Sequence, residues 1–176
     1  MLMLIILAGL PGSGKTTLAK ALARRLGAVH VRVDTIEQNI RNTGVEVGPA
    51  GYMVAYGVAE DNLALGHIVV ADSVNSLTIT RRAWRAVAER QGVPASEIWV
   101  KCSDKVEHRH RVETRVSDVP GLIKPSWTST EARIFEDWET EPLVVDTAGR
   151  SPEQTVVDLI SALQIDQDFI AVQEEQ

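Results

Sequence analysis

The sequence predicts an α/β protein built on one parallel sheet with helices on both faces. Short apolar runs alternate along the chain with segments of helical spacing, which is the order of strand and crossover units. The first run, Leu2 to Ala8, is apolar at every position, as strands buried on both faces are. Because 176 residues suit one large core, we expect a single domain over residues 1–176.

Four further strands follow in the same pattern. They are predicted at "AVHVRV", "HIVVA", "EIWVKC" and "PLVVD". The second strand is predicted to end at Asp34, and Asp72 follows the third. Side chains that follow parallel strands gather at one edge of the sheet, where ligands bind in open α/β folds.

Helical spacing fills the segments between these strands. Helices are predicted over 15–26 with a stop at Gly27, around 50–65, over 80–91, through "EHRHRVETR" and from about Ser151. Asp104 with Glu107, and Ser151 with Gln154, have the spacing of capping boxes.

Composition excludes several classes of protein. Hydrophobic residues make up 44% and charged residues 24%, which is typical of a globular domain. The net charge of −6 argues against general nucleic-acid binding, which needs a basic surface. The apolar start has no basic flank and is too short to span a membrane. A single cysteine, Cys102, allows no intrachain disulfide, so we expect a cytoplasmic protein.

The segment "GLPGSGKT" is the most specific motif in the chain. It matches G-x-x-x-x-G-K-[ST] and lies between a predicted strand and a predicted helix, as a phosphate-binding loop does. Glycines let backbone N–H groups converge on an anion, and the helix N-terminus adds positive charge. Lys15 reaches the β- and γ-phosphates, and the Thr16 hydroxyl ligates Mg²⁺. The alternative is a glycine-rich turn without a ligand.

The motifs that are absent narrow the activity. The sequence has no N-K-x-D segment of the kind that reads guanine, and no apolar run that ends in Asp-Glu, as motor-type ATPases have. What remains for a compact chain is phosphoryl transfer to a small acceptor, where catalysis is mostly positioning and charge neutralisation.

These motifs together resemble the P-loop small-molecule kinases. The resemblance is to the group similar to chloramphenicol phosphotransferase, gluconate kinase and the 5′-hydroxyl polynucleotide kinase domain. It runs through "GLPGSGKTT", "VRVDTIEQNIR", "VVADSVNSLTITRRAW", "CSDKVEHRHRVETR" and "VVDTAGRS". It implies a three-layer α/β/α fold, a five-stranded parallel sheet of order 2-3-1-4-5, and a lid that bears arginines, here at about residues 105–130.

The resemblance also assigns the nucleotide site and the base. ATP with Mg²⁺ is expected on the loop, with contacts from Gly9, Pro11, Gly12, Ser13, Gly14, Lys15, Thr16 and Thr17. Asp34 falls where these kinases place the carboxylate that takes the proton of the acceptor hydroxyl. The structural alternative for Asp34 is the N-cap of "TIEQNIR".

Two polar residues follow the third strand. Asp72 falls where P-loop proteins hold Mg²⁺ through a carboxylate, and Ser73 after it offers no base to activate water. A cap or an Asx-turn at the strand exit is the other interpretation of Asp72. Asn75 is expected to hydrogen-bond either the acceptor or the backbone.

Arginines in "EHRHRVETR" are the candidates for the lid. Arg111 and Arg115 are four residues apart and so are expected on one helical face. We expect these two, in preference to Arg109, to stabilise the transferring phosphoryl group. The alternative is a solvated helix with internal Glu–Arg pairs. "SDVPGLIKPSWTST" is predicted to be the lid loop, with Trp127 either over the substrate or in the core.

The remaining candidates are weaker. Arg150 is expected along the adenine, or else belongs to a plain turn capped by Ser151. Arg41, Arg81 and Arg82 are candidates to hold an anionic acceptor, Arg41 first among them, and the alternative for all three is a surface position. The four histidines form no metal signature. The alternatives to a small-molecule kinase are a 5′-hydroxyl nucleic-acid kinase and an ATP-binding switch protein. Nothing in the sequence indicates an oligomeric state.

Overall fold

A parallel five-stranded sheet forms the centre of the protein. The computed structural model describes residues 2–165. The strands are β1 (Leu4–Ala8), β2 (Val29–Arg32), β3 (Val69–Asp72), β4 (Ala95–Lys101) and β5 (Leu143–Asp146). They lie in the order β2-β3-β1-β4-β5, and every pair is parallel. The predicted order is confirmed.

Seven helices connect and cover the strands within the described part of the chain. They are α1 (Lys15–Leu26), α2 (Val33–Asn42), α3 (Ala50–Ala64), α4 (Thr78–Gln91), α5 (Lys105–Thr114), α6 (Trp127–Glu131) and α7 (Pro152–Ala162). No helix within residues 2–165 combines the length and the apolarity that a membrane span requires.

Two cores flank the sheet and make three layers. Met3, Ile5 and Leu7 of the first strand region pack with α1 and α7 on one face. Leu4 and Ile6 point to the opposite face, against α3 and α4. All five residues of β1 are fully buried, which explains the uninterrupted apolar run, since a strand covered on both faces has no polar side.

Both N-cap residues were predicted correctly, but neither capping box is complete, and the Gln154 side chain donates to Asp158 instead of returning to Ser151. The Asp104 carboxylate accepts hydrogen bonds from the backbone N–H of Val106 and Glu107, and the Ser151 hydroxyl accepts from Gln154 N–H. The Glu107 carboxylate does not complete the box. It instead accepts from Arg111 and from the backbone N–H of Gly149.

The predicted end of the second strand and the surface position considered for Arg81 were both wrong. The second strand ends at Arg32, and Val33 already belongs to α2, because Val33 packs into the core from the first helical turn. Arg81 is not a surface residue but is 1% exposed. Its guanidinium donates to the carbonyl oxygens of Asn75, Glu136 and Asp137 and so fixes the segment after α6 against α4. Arg82 is exposed and pairs with Glu139, as expected for a surface residue.

Candidate active site

One cavity of about 950 Å³ lies at the carboxyl edge of the sheet. Its wall includes the loop after β1, the first turn of α2, the end of β3, the residues after β5 and residues 114–118 and 122–125. Lys15, Thr16, Asp34 and Asp72 all line it. Residues from three separate strand ends therefore meet in one site, as the parallel sheet requires.

Two glycines of the loop occupy positions that other residues cannot. Gly9 has φ +151°, and a Cβ there would meet the carbonyl oxygen of Val100 at 2.1 Å. Gly12 has φ +79°, and a Cβ there would meet Val112 Cγ2 at 2.5 Å. Both positions need glycine for conformation and for space.

Hydrogen bonds behind the loop fix the direction of its peptide groups. The buried His108 ring places Nε2 2.8 Å from Pro11 O, so this nitrogen carries the proton and donates. The Thr147 hydroxyl lies 2.8 Å from Ser13 O. In a trans peptide the N–H opposes the C=O, so the N–H groups of Gly12 and Gly14 are directed away from these anchors.

The lining of the cavity agrees with this arrangement. Gly12 and Gly14 line it, together with Pro11, Lys15, Thr16 and Thr17. Ser13 is buried behind the loop, with 1% exposure, and neither Ser13 nor Gly9 is part of the cavity wall. Of the eight loop residues predicted to contact the nucleotide, six therefore face the cavity.

The Lys15 ammonium group hydrogen-bonds a carbonyl oxygen of its own loop. Its Nζ donates to Leu10 O at 3.0 Å. Burial lowers the pKa of Lys15 to about 8, although the charges of Asp72 and Asp34 oppose the shift. Lys15 has a buried ammonium group that hydrogen-bonds a carbonyl oxygen. A bound polyphosphate would stabilise its charge, because the anion compensates for the lost hydration.

Asp72 is buried at the end of β3 and lies within reach of three polar groups. Its Oδ2 is 3.2 Å from His30 Nε2 and 3.9 Å from Arg32 Nε, and it also accepts a hydrogen bond from the Thr16 hydroxyl. Burial alone would raise the pKa of Asp72. The His30 hydrogen bond and the Lys15 charge outweigh it, and the pKa lies below its ordinary value. Neither a cap nor an Asx-turn uses this carboxylate.

The Asp34 carboxylate faces the cavity and has no partner among residues 2–165. Asp34 lies in the first turn of α2, where Arg32 and not Asp34 holds the N-cap position. The carboxylate makes no hydrogen bond or ion pair with any residue from 2 to 165. The N-cap interpretation of Asp34 is therefore wrong, and the side chain is free to meet a ligand.

The two lid arginines do not share a helical face. α5 ends at Thr114, and Arg115 leaves the helix with φ −56° and ψ 140°. Arg111 donates to both the hydroxyl and the carbonyl oxygen of Thr147 and pairs with Glu107, so it braces the wall of the loop. Arg115 lines the cavity, is half-buried, and its Nε has no hydrogen-bond partner among the described residues.

The lid loop after α5 rests on the edge of the sheet through one carboxylate. Asp118 pairs with Lys20 of α1 and, at 2.8 Å, with Arg32 of β2.

Trp127 neither covers the cavity nor enters the core. Its ring packs edge to face on His108 at 5.2 Å.

The structure places the weaker candidates Arg41, Arg150 and Asn75 in different surroundings. Arg41 lines the cavity but pairs with Glu37 at 3.0 Å, and Arg150 lines it while paired with Asp158. Asn75 is fully buried and is not part of the cavity wall. It has φ +53°, its backbone N–H lies 3.3 Å from the Tyr52 hydroxyl, and its side chain has no partner within residues 2–165.

Sequence reasoning missed four residues that the fold brings to the site. Lys124 and Arg133 line the cavity, and Arg133 lies beyond the predicted lid. His108 and Thr147 anchor the loop from behind. No local pattern marks these residues, because each reaches the site through the tertiary packing of a distant segment.

Donor groups for Mg²⁺ meet where the loop approaches β3. Mg²⁺ prefers oxygen ligands and binds through one or two carboxylates together with phosphates and water. The Thr16 hydroxyl and the Asp72 carboxylate are oxygen donors that already contact each other. No group of three or more His, Cys, Asp or Glu side chains within residues 2–165 forms a separate metal site.

Comparison with known proteins identifies the family. The model of the family described as "AAA domain" (AAA_33) matches residues 4–121, which include the loop, Asp34, Asp72 and α5. The chain belongs to this AAA domain family. Its resemblance to the P-loop small-molecule kinases is confirmed.

Relatives and solved structures agree with this assignment. A probable adenylyl-sulfate kinase from Aeropyrum pernix is 29% identical over 88% of each chain. A protein from Thermococcus onnurineus, provisionally named as an adenylate kinase, is 28% identical over 92% of this chain and 84% of that protein. The structure of the Mycobacterium tuberculosis APS kinase CysC with AMPPNP and APS shares the fold, with a TM-score of 0.70 at 17% identity, over 92% of this chain and 97% of that chain. The three-layer P-loop kinase fold is confirmed.

Proposed function

We propose that the protein transfers the γ-phosphate of ATP to a hydroxyl group of a small molecule. The observation that carries the proposal is the free Asp34 carboxylate in the same cavity as Lys15 and the loop. A general base must reach the acceptor and must not already be engaged by the protein. Among the four acidic side chains of the cavity wall, Asp34 alone makes neither a hydrogen bond nor an ion pair within residues 2–165.

The loop holds the phosphates in this proposal. The N–H groups of Gly12 and Gly14, directed by the anchors on Pro11 and Ser13, face the β-phosphate, and Lys15 leaves Leu10 O to bind the β- and γ-oxygens. Thr16 and Asp72 would hold Mg²⁺, which when bound neutralises charge on the transferring phosphoryl group.

Asp34 accepts the proton of the acceptor hydroxyl as that oxygen attacks the γ-phosphorus. The bond from phosphorus to the bridging oxygen breaks, and ADP leaves. Arg115, with Arg111 behind it, and Lys15 stabilise the charge that spreads over the equatorial oxygens. Arg150 lies on the side of the cavity where the residues after β5 would meet the base of ATP.

The first experiment follows ATP consumption with Mg²⁺ across a fractionated metabolite extract. Wild type is compared with Asp34→Asn, Lys15→Ala and the matched control Asp61→Asn, whose carboxylate is exposed on α3 outside the cavity. We expect one fraction to stimulate ATP consumption by wild type and Asp61→Asn. The same fraction should not stimulate Asp34→Asn or Lys15→Ala.

Two outcomes would contradict the proposal. Turnover that no fraction raises, in a protein that ATP protects against heat, would favour an ATP-binding switch. Stimulation that survives Asp34→Asn would remove Asp34 as the base and would favour an acceptor that is already ionised, such as a phosphate.

A further inference from the structure

The wall of the cavity carries positive charge in an otherwise acidic protein. Ten basic and four acidic side chains line the cavity, whereas the whole chain has a net charge of −6. Among residues 2–165, eight basic and sixteen acidic side chains lie outside this wall. A concave wall of one sign focuses its potential on whatever enters, while the acidic exterior repels extended anions.

Internal ion pairs account for part of this positive charge. Arg111 and Arg150 are neutralised by Glu107 and Asp158, which lie outside the cavity wall. That leaves an excess of four positive charges in the wall. ATP with Mg²⁺ brings only about two net negative charges, since the ion offsets half the charge of the triphosphate. Roughly two positive charges of the wall then remain to be balanced by negative charge on the second substrate.

Three of the five wall cations without an ion pair within residues 2–165 lie on the lid side of the cavity, and the other two, Lys15 and Arg24, belong to α1. Arg115, Lys124 and Arg133 line the wall and make no ion pair within residues 2–165. Arg115 and Arg133 both lie close enough to Lys15 to lower its pKa. Arg115 also interacts with the charge of Asp34, and Lys124 Nζ is 2.6 Å from Arg115 O, so Arg115 and Lys124 lie together beside the candidate base.

We infer that the acceptor is itself a small anion, a hydroxyl compound that also bears a phosphate, sulfate or carboxylate group, and that Arg115 and Lys124 bind that group. This inference rests on the proposed function and specifies its second substrate. Arg115 is suited to the role because a planar guanidinium binds such groups with two parallel hydrogen bonds, and its Nε has no hydrogen-bond partner within residues 2–165. Asp34 opposite it is then free to receive the proton of the hydroxyl.

The direct test uses inorganic sulfate as the probe and needs no turnover. Protein saturated with Mg²⁺ and a non-hydrolysable ATP analogue is titrated with sulfate by calorimetry. We expect one sulfate to bind beside the nucleotide, about tenfold more weakly to Arg115→Gln, and with intermediate affinity to Arg115→Lys. Arg82→Gln, which loses an exposed arginine paired with Glu139 outside the cavity, serves as the control and should bind as wild type does.

Absence of a sulfate site beside the nucleotide, or equal affinity in wild type and Arg115→Gln, would overturn the inference. Melting temperatures establish that the variants are folded, and because Arg115 makes no ion pair within residues 2–165 its loss should leave them near wild type. Sulfate binding without phosphorylation of any compound would support the anion site and count against the proposed function instead.

A second measurement compares matched acceptors. Hydroxyl compounds are assayed in pairs that differ only in an added phosphate, sulfate or carboxylate group. The anionic member should have a kcat/KM at least about tenfold higher, and Arg115→Gln should raise the KM of that member and remove its advantage over the neutral one. Equal use of both members, or preference for a long 5′-hydroxyl oligonucleotide over a small anion, would contradict the inference.

Discussion

The two walls of the cavity are built in different ways. The phosphate-binding loop is anchored from behind by hydrogen bonds to His108 and Thr147, and its glycines fit spaces with no room for a Cβ. The lid loop was predicted at residues 117–130, but α6 begins at Trp127, so the lid loop without helix or strand is residues 115–126. In this loop Val116 and Ile123 are each 91% exposed. One wall is therefore shaped before the ligand arrives, and the other lacks regular structure and can adjust.

Disturbing the fixed wall should have the largest effect. Gly12→Ala places a methyl group 2.5 Å from Val112 Cγ2 at φ +79°, so the loop must move. We expect ATP affinity to fall about a hundredfold or more, because a displacement near 1 Å removes several convergent hydrogen bonds. Calorimetric titration with ATP measures the loss.

Gly57→Ala is the matched control for this change. Gly57 lies within α3 with no atom near a built Cβ, so alanine there should stabilise the protein by about 0.5–1 kcal/mol and leave ATP binding unchanged. Normal ATP affinity in Gly12→Ala would show that the loop is not fixed as described.

The buried ammonium of Lys15 gives the next effect, and it depends on pH. Because burial lowers the pKa of Lys15 from 10.5 to about 8, the folded protein releases this proton before the unfolded chain does. Stability must therefore rise with pH across this interval. Relative to Lys15→Met, the free energy of unfolding of wild type should increase by about 3 kcal/mol between pH 8 and 10.5.

Chemical denaturation at several pH values without nucleotide measures this difference. A wild-type curve that runs parallel to that of Lys15→Met would mean that the ammonium is not destabilised by burial. Saturating ATP should reduce the dependence, since the polyphosphate then stabilises the charged form.

The anchor behind the loop should contribute less than the loop itself. His108→Leu removes the donor to Pro11 O and should raise the KM for ATP about tenfold with a smaller change in kcat. His108→Gln keeps an N–H donor and should recover part of the loss. Adenosine, which has no phosphate for the loop, should bind all three proteins equally, whereas a general loss of structure would weaken its binding too.

The attachment of the lid loop gives the smallest expected effect. Asp118 is about half exposed, and hydrogen bonds from Lys20 and Arg32 hold the pKa of its carboxyl below the usual range. Asp118→Asn should lower the free energy of unfolding by less than about 1 kcal/mol. The difference from wild type should be present above the ordinary pKa of aspartate and disappear as the pH falls through the lowered one.

Urea denaturation at neutral and acidic pH measures this effect, with Asp61→Asn as the control for loss of one charge. High salt should reduce the effect, because the pair is partly exposed. A loss of several kcal/mol would show that the lid loop is part of the fixed structure and would contradict the contrast between the walls.

The same contrast explains what the sequence could predict. The strands and the loop at residues 9–16 follow from local patterns, because a loop motif between a strand and a helix defines its own geometry. The order of the strands was implied only by the resemblance to the P-loop small-molecule kinases. Arg115 was predicted to share a helical face with Arg111, but helical spacing does not show that α5 ends at Thr114. The same limit applies to Arg81, whose burial depends on carbonyl groups 55 and 56 residues away.

Asp34 shows how far a local pattern reaches at the site. Its place after the second strand predicted the correct edge of the sheet, although the apolar Val33 led to a predicted strand end at Asp34, whereas β2 ends at Arg32. That its carboxylate has no partner within residues 2–165 is a property of the packed structure and could not be read from the spacing.

The central claim is that the cavity transfers phosphate to an acceptor with Asp34 as the base. The most direct test follows the label of γ-³²P-ATP into organic phosphate and into free phosphate in one assay, with the stimulating acceptor fraction present. We expect wild type and Asp61→Asn to place the label in an organic product, and Asp34→Asn to do so at least about a hundredfold more slowly with unchanged ATP affinity. Label that appears only as free phosphate, at equal rates in all three proteins, would contradict the claim.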